Sequence, residues 1–159
     1  GVVRNYGDKK PESEKPLPAY YQQTCAADND STWDFSRWQP DLVVINLGTN
    51  DFSTKPHPHK TTFIRAYSAL ISQVRKNYNN PVILCICGPF IGNPCCRWEQ
   101  EIIEYYRAMQ NAGDIYFVQI PKALIKNPDD LGCDAHPNIR GHKKMAAHLI
   151  PIVENIMNW

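Results

Sequence analysis

Two stretches of this sequence combine side chains able to do oxyanion and proton-transfer chemistry with residues that turn or stiffen the chain. The first, Gly48-Thr49-Asn50-Asp51, follows the apolar run Leu42 to Leu47 directly. An amide side chain and backbone donors at the end of a buried strand suit a developing oxyanion, because fixed neutral donors stabilise charge without reorganising. Asn-Asp is also ordinary turn chemistry, since both side chains mimic backbone turns; on these four residues alone the turn reading is the stronger. The second stretch, Gly132 to His142, places His136 before a proline and just ahead of an apolar helix. A general base needs that kind of rigid mounting. Taken singly, His136 reads better as a loop histidine beside a capping Asn138. His142 reads as a packing or capping residue, and His57, His59 and His148 stand without chemical company.

The elements that must position these residues are legible from the spacing of apolar side chains. Leu42 to Leu47, Val82 to Cys87 and Ile115 to Gln119 are short continuous apolar runs, the first two closed by glycine, as expected of strands buried on both faces. Phe63, Tyr67, Leu70, Ile71, Val74 and Tyr78 recur at helical spacing, with Thr61 or Thr62 as N-cap. Trp98, Ile102, Tyr105, Tyr106 and Met109 repeat the pattern, and Met145, Leu149, Ile152, Val153 and Ile156 make a closing helix that must kink or break at Pro151. Buried strands alternating with helices predict an α/β domain with a mainly parallel sheet between two helical layers, joined by right-handed crossovers. Functional residues should gather beyond the carboxyl ends of the strands, at 48–53, 88–96 and 134–136. Residues 1–40, with Pro11, Pro16, Pro18 and Pro40, form an irregular lead-in that hugs the surface, and residues 1–159 make one domain.

Composition narrows the classes. Basic and acidic residues number 17 and 16, spread along the chain with no basic stripe, so nucleic acid is a poor partner. The longest apolar runs fall far short of the roughly 20 residues that cross a bilayer, and no charged-then-apolar leader opens the sequence. Six cysteines, an even number at high density, lean towards an oxidising compartment, although three bridges would allow fifteen connectivities. Cys85 and Cys87 share one strand face and read equally well as buried free thiols. His57-Pro58-His59 and Cys95-Cys96 look ligand-like, but their spacings match no standard zinc pattern, so no metal is assigned.

The order of the two chemical stretches changes their reading. Gly48-Thr49-Asn50-Asp51 matches the third block of the SGNH, or GDSL-like, hydrolases, and Asp134 to Pro137 resembles their fifth. The resemblance spans residues 41–159. With Val2 to Gly7, Trp33 to Asp41, Val44 to Ser53 and His136 to His142 added, the chain looks like the second family of carbohydrate esterases, which remove acetyl groups from plant polysaccharides.

That resemblance implies a three-layer α/β/α sandwich, a serine nucleophile, Asn50 as oxyanion donor, His136 as base and Asp134 as the third catalytic member, with Gly1 ending the glycine block. Gly48, Asp51 and Trp98 are the expected substrate-binding residues. Trp33, Trp38 and Phe90 are further candidates for stacking on sugar rings, against the commoner core role of tryptophan. No cofactor is implied, and the expected partner is an acetylated polysaccharide or oligosaccharide, met by a secreted protein.

Two departures stand out. The family's Gly-Asp-Ser block, expected on a first strand ahead of Gly1, is absent, and Ser13, Ser31, Ser36, Ser53, Ser68 and Ser72 do not stand in that motif. Asp134 precedes His136 by two positions rather than three, so a backbone carbonyl near Cys133 or Ala135 is the alternative orienter. The chain is accordingly expected to be an esterase lacking its first strand. The rival readings are a non-catalytic carbohydrate-binding module and a partner subunit that takes the missing strand from a second chain.

Overall fold

A computed structural model gives the architecture of residues 1–109 and 112–159. The described residues form three strands, β1 (Leu42–Ile45), β2 (Val82–Cys87) and β3 (Ile115–Gln119), in the order β1-β2-β3. Both pairings are parallel, with Leu42 opposite Val82 and Ile83 opposite Ile115. Helices α1 (Thr49–Ser53), α2 (Lys60–Asn77), α3 (Cys95–Met109) and α4 (Ile139–Met157) complete the framework.

The side-chain alternation of β2 explains the layering. Ile83 and Cys85 point into a core built with Phe63, Tyr67, Leu70, Ile71 and Val74 of α2 and Ile102, Ile103 and Tyr106 of α3. Leu84 and Ile86 point the other way, where Met145, Leu149, Val153 and Ile156 of α4 cover them. Both faces are therefore dry, which is why β2 reads as an unbroken apolar run. The sheet lies between α2 and α3 on one side and α4 on the other, the expected three-layer α/β/α arrangement. A two-pronged ion pair from Arg75 to Asp114, at 2.9 and 2.8 Å, ties the end of α2 to the entrance of β3 and holds the Asp114 carboxyl below its ordinary range.

Four local expectations need correction. The first strand ends at Ile45, before Leu47. Helix α2 begins at Lys60 with His59 in the cap position, so Thr61 and Thr62 lie inside its first turn. Helix α4 runs through Pro151 as one element; the proline is on the exposed side, where water can satisfy the carbonyl left without a donor. The irregular lead-in also does more than cover the surface, because its first residues, Val2, Val3 and Arg4, are buried.

Strand β1 stands at the edge of the sheet. Its Val44 is 50% exposed and borders an apolar groove of about 360 Å³ shared with Leu17, Tyr21 and Leu70. Central and edge positions should therefore respond differently to truncation. Ile83→Ala is expected to lower the unfolding free energy of this chain by about 2–5 kcal/mol, and Val44→Ala by less than about 1 kcal/mol, in urea titrations followed by circular dichroism.

Candidate active site

The first chemical stretch is held by its own aspartate. Asp51 is fully buried, and its carboxylate accepts hydrogen bonds from the backbone N–H groups of Val2, Val3 and Arg4 at 2.8, 2.7 and 2.8 Å. The Arg4 guanidinium, equally buried, donates to the carbonyls of Lys10 and Thr54 at 3.0 and 2.8 Å and to Thr54 Oγ1 at 2.8 Å, and also to the Asp8 carbonyl. The start of the chain is thus tied to both sides of the Asn50 turn. A buried carboxylate with three amide donors is well satisfied, and Asp51, which has no exposed surface, shapes the turn from within.

Gly48 has φ of 116°, in the region that favours glycine. Space demands glycine as well, because a Cβ here would run into Glu99 Oε1 and Cys95 Sγ. Gly48 is consequently part of the turn's floor rather than a free surface. It lines a small hollow of about 140 Å³ together with Gly1, Asn46 and Asn50, and Asn50 also opens onto a larger cavity.

That cavity, about 780 Å³, brings the two sequence stretches together. Thr49, Asn50 and Ser53 form one part of its lining and Asp134, Ala135 and His136 another, with the exposed aromatic rings of Tyr6 and Phe90 at its edge. It lies where the sheet rule puts a site, beyond the carboxyl ends of the strands. Trp98 is not on its wall. The indole packs on Phe52 and Phe63, with ring centroids 5.4 and 6.0 Å away, and adjoins the core cluster, partly buried.

His136 follows two consecutive left-handed residues, Asp134 (φ 50°) and Ala135 (φ 57°). Its Nδ1 lies 3.3 Å from the carbonyl oxygen of Cys133. A carbonyl only accepts, so this contact favours the tautomer with hydrogen on Nδ1 and leaves Nε2 as the basic nitrogen. Among the described residues the Asp134 carboxylate makes no hydrogen bond to the imidazole. The short Asp134-Ala135-His136 spacing, turned by two left-handed residues, puts the Cys133 carbonyl in the orienting position instead.

The loop is braced from beneath. Asn138 caps α4 by accepting from Arg140 N and Gly141 N at 2.9 and 3.1 Å, and its amide donates to the carbonyls of Asp129 and Leu131. Asp130, fully buried, pairs with Lys144 at 2.5 Å and Arg140 at 3.0 Å. Gly141 lets the first turn of α4 approach this loop, since a Cβ there would meet the Asp130 carbonyl oxygen. Sequence reasoning passed over Arg4, Asp130 and Glu99 because nothing in their surroundings marks a charged residue as buried. Tyr6 lies inside a quoted stretch of the resemblance and was passed over as well. The six cysteines yield one bridge, Cys87–Cys96; among the described residues Cys25, Cys85, Cys95 and Cys133 are free.

Comparison with known proteins fits this geometry. The model of the GDSL-like Lipase/Acylhydrolase family matches residues 17–144. The chain is 41% identical over 132 residues to cellulase/esterase CelE of Acetivibrio thermocellus, covering 80% of this chain and 16% of CelE. It is 28% identical to an acetylxylan esterase / glucomannan deacetylase of Cellvibrio japonicus, across its whole length and 42% of that protein. A family two carbohydrate esterase from Clostridium thermocellum, solved in complex with cellohexaose, superposes with a TM-score of 0.83 at 34% identity, covering all of this chain and 48% of that one. The chain spans less than half the length of each of these relatives.

Two measurements test the framework of the site. Asp51→Ala leaves three buried N–H groups without an acceptor and is expected to cost at least about 3 kcal/mol, read from chemical denaturation. Glu99, beneath Gly48, has its carboxyl pushed up from 4.5 to about 8 by burial, with the Asp51 charge adding to the effect. Between these values the unfolded chain has released a proton that the folded chain keeps, so stability falls as pH rises. Glu99→Gln is expected to flatten the loss by up to about 1.4 kcal/mol per pH unit across that window, measured by denaturation at pH 4.5, 6 and 8.

Proposed function

Because the chain belongs to the GDSL-like lipase/acylhydrolase family and has carbohydrate esterases among its relatives, we propose that it is part of a secreted serine esterase that removes acetyl groups from plant cell-wall polysaccharides, with its nucleophile on a segment beyond these 159 residues. The observation that carries this reading is the shared cavity: Asn50 and His136, 86 positions apart in the chain, line one cleft with Nε2 of the histidine left basic. In the reaction a serine hydroxyl attacks the acetyl carbonyl while His136 Nε2 takes its proton. The Asn50 side-chain amide donates to the resulting oxyanion. The protonated histidine then gives its proton to the departing sugar hydroxyl, and a water molecule repeats the sequence on the acetyl-serine to release acetate.

Tyr6 and Phe90, 67% and 43% exposed at the edge of the cavity, suit stacking on the apolar faces of pyranose rings. The cellohexaose complex of the Clostridium relative supports an oligosaccharide as the ligand. The free edge of β1 and its adjoining groove fit a further parallel strand bearing the nucleophile, whether from the same polypeptide or from a second chain. Secretion is supported by the Cys87–Cys96 bridge, since such bonds persist in oxidising compartments; no described helix is long and apolar enough to cross a membrane.

One observation favours a second reading for these residues alone. Ser53 lies on the cavity wall, but its hydroxyl donates to the Thr49 carbonyl at 2.5 Å, which directs its proton away from the imidazole and leaves a saccharide-binding cleft without turnover. Hydrolysis of an aryl acetate separates the two. The chain is expected to be inactive alone and to gain activity when an upstream Gly-Asp-Ser strand is fused to it; His136→Ala in the fusion should then reduce kcat/KM by about 10³-fold or more. A well-folded fusion that binds cellohexaose without hydrolysing acetate would overturn the esterase reading in favour of the binding module.

A further inference from the structure

Beneath Gly48 lies a set of reactive groups that ester hydrolysis does not use. Cys87, at the end of β2, is bonded to Cys96 in the first turn of α3, while the neighbouring Cys95 is a free, fully buried thiol. The sulfurs of Cys87 and Cys95 and a carboxylate oxygen of Glu99 all lie within 4.8 Å of one another. The Cys95 thiol donates to Glu99 Oε1 at 3.2 Å. The other oxygen of this completely buried carboxylate, Oε2, has no partner among the described residues. On the far side, Cys96 Sγ is 3.7 Å from the carbonyl oxygen of Ile91. A bonded sulfur carries no hydrogen to donate there, so the contact is unused while the bridge stands.

We propose that these residues form a thiol–disulfide exchange site in which the bridge of Cys87 moves between Cys96 and Cys95. The step is internally balanced. Cys95 gives its proton to Glu99 in that carboxyl's ionised fraction and its sulfur attacks Cys87 Sγ; the Cys87–Cys95 bond forms as the Cys87–Cys96 bond breaks. Glu99 then releases the proton to solvent, and the departing Cys96 sulfur takes one up from solvent and, as a thiol, donates to the waiting Ile91 carbonyl. One disulfide and one thiol are present before and after, so no oxidant or reductant is consumed.

The two bridge isomers differ at the candidate active site. In the present isomer Cys95 Sγ and Glu99 Oε1 are the atoms that fill the space under Gly48. Drawing Cys95 onto Cys87 removes one of them and leaves Glu99 without its thiol donor, directly below the turn that carries Asn50.

Disulfide mapping of the intact chain tests this. Protein held under native conditions is denatured in acid, its thiols are capped with a maleimide, and non-reduced peptides are sequenced by tandem mass spectrometry. In the unaltered chain the cap should appear on Cys95 in one population and on Cys96 in another, and Cys95→Ser should abolish the Cys96-capped population. In Cys96→Ser, folded with oxidised glutathione as the oxidant, a Cys87–Cys95 bridge should form, with near-complete loss of capping at Cys87 and Cys95. A folded Cys96→Ser protein capped at both Cys87 and Cys95 would overturn the proposal. If that variant does not fold, the unaltered chain decides: capping confined to Cys95 after prolonged incubation overturns it equally.

Discussion

The candidate site depends first on one buried carboxylate. Asp51 gathers the N–H groups of Val2, Val3 and Arg4, residues with no strand or helix to satisfy their backbone. A buried segment of that kind would be costly if left unpaired. In return for a single anion, the first residues of the chain become a wall of the Asn50 turn, and the side chain of Arg4 is brought to the carbonyls that follow it. Burying this carboxylate is tolerable because its oxygens are occupied by amide donors. The hollow beside Asn50 and the position of Tyr6 at the edge of the larger cavity both follow from this anchorage.

The histidine loop uses the same principle with different groups. Asp130 is its buried anion, Lys144 and Arg140 are the counter-charges from α4, and Asn138 serves cap and loop at once. The first turn of α4 is thereby joined to the loop at several points, which leaves the imidazole on a mount that cannot shift independently of the helix. Each half of the cavity is thus a short segment tied down by one buried charged residue that is not among the cavity's lining.

How much of this was legible follows from what each signal reports. Continuous apolar runs mark strands, so the parallel sheet and the layering by helices could be read directly; burial on both faces holds for β2, whereas β1 and β3 are partly exposed. Residue type and position also drew attention to Asn50 and His136. Asp51 and Trp98 resisted reading because a sequence does not say which way a side chain points. Both belong to stretches that do line the site or adjoin it, yet one is turned towards backbone amides and the other into an aromatic cluster. Arg4, Glu99 and Asp130 were illegible for a related reason. A charged residue is expected outside, and only partners distant in sequence reverse that expectation. The orienting carbonyl of Cys133 was readable merely as an alternative, since every residue has a carbonyl and only the turn at Asp134 and Ala135 selects this one.

That turn also has a thermodynamic consequence. Two successive left-handed residues, one of them alanine, are unfavourable by about 1 kcal/mol or more each, and the network around Asp130 and Asn138 must offset this when the chain folds. The backbone that carries the imidazole is therefore set when the chain folds, and the entropy lost in fixing that turn belongs to the folding equilibrium rather than to the binding of a ligand.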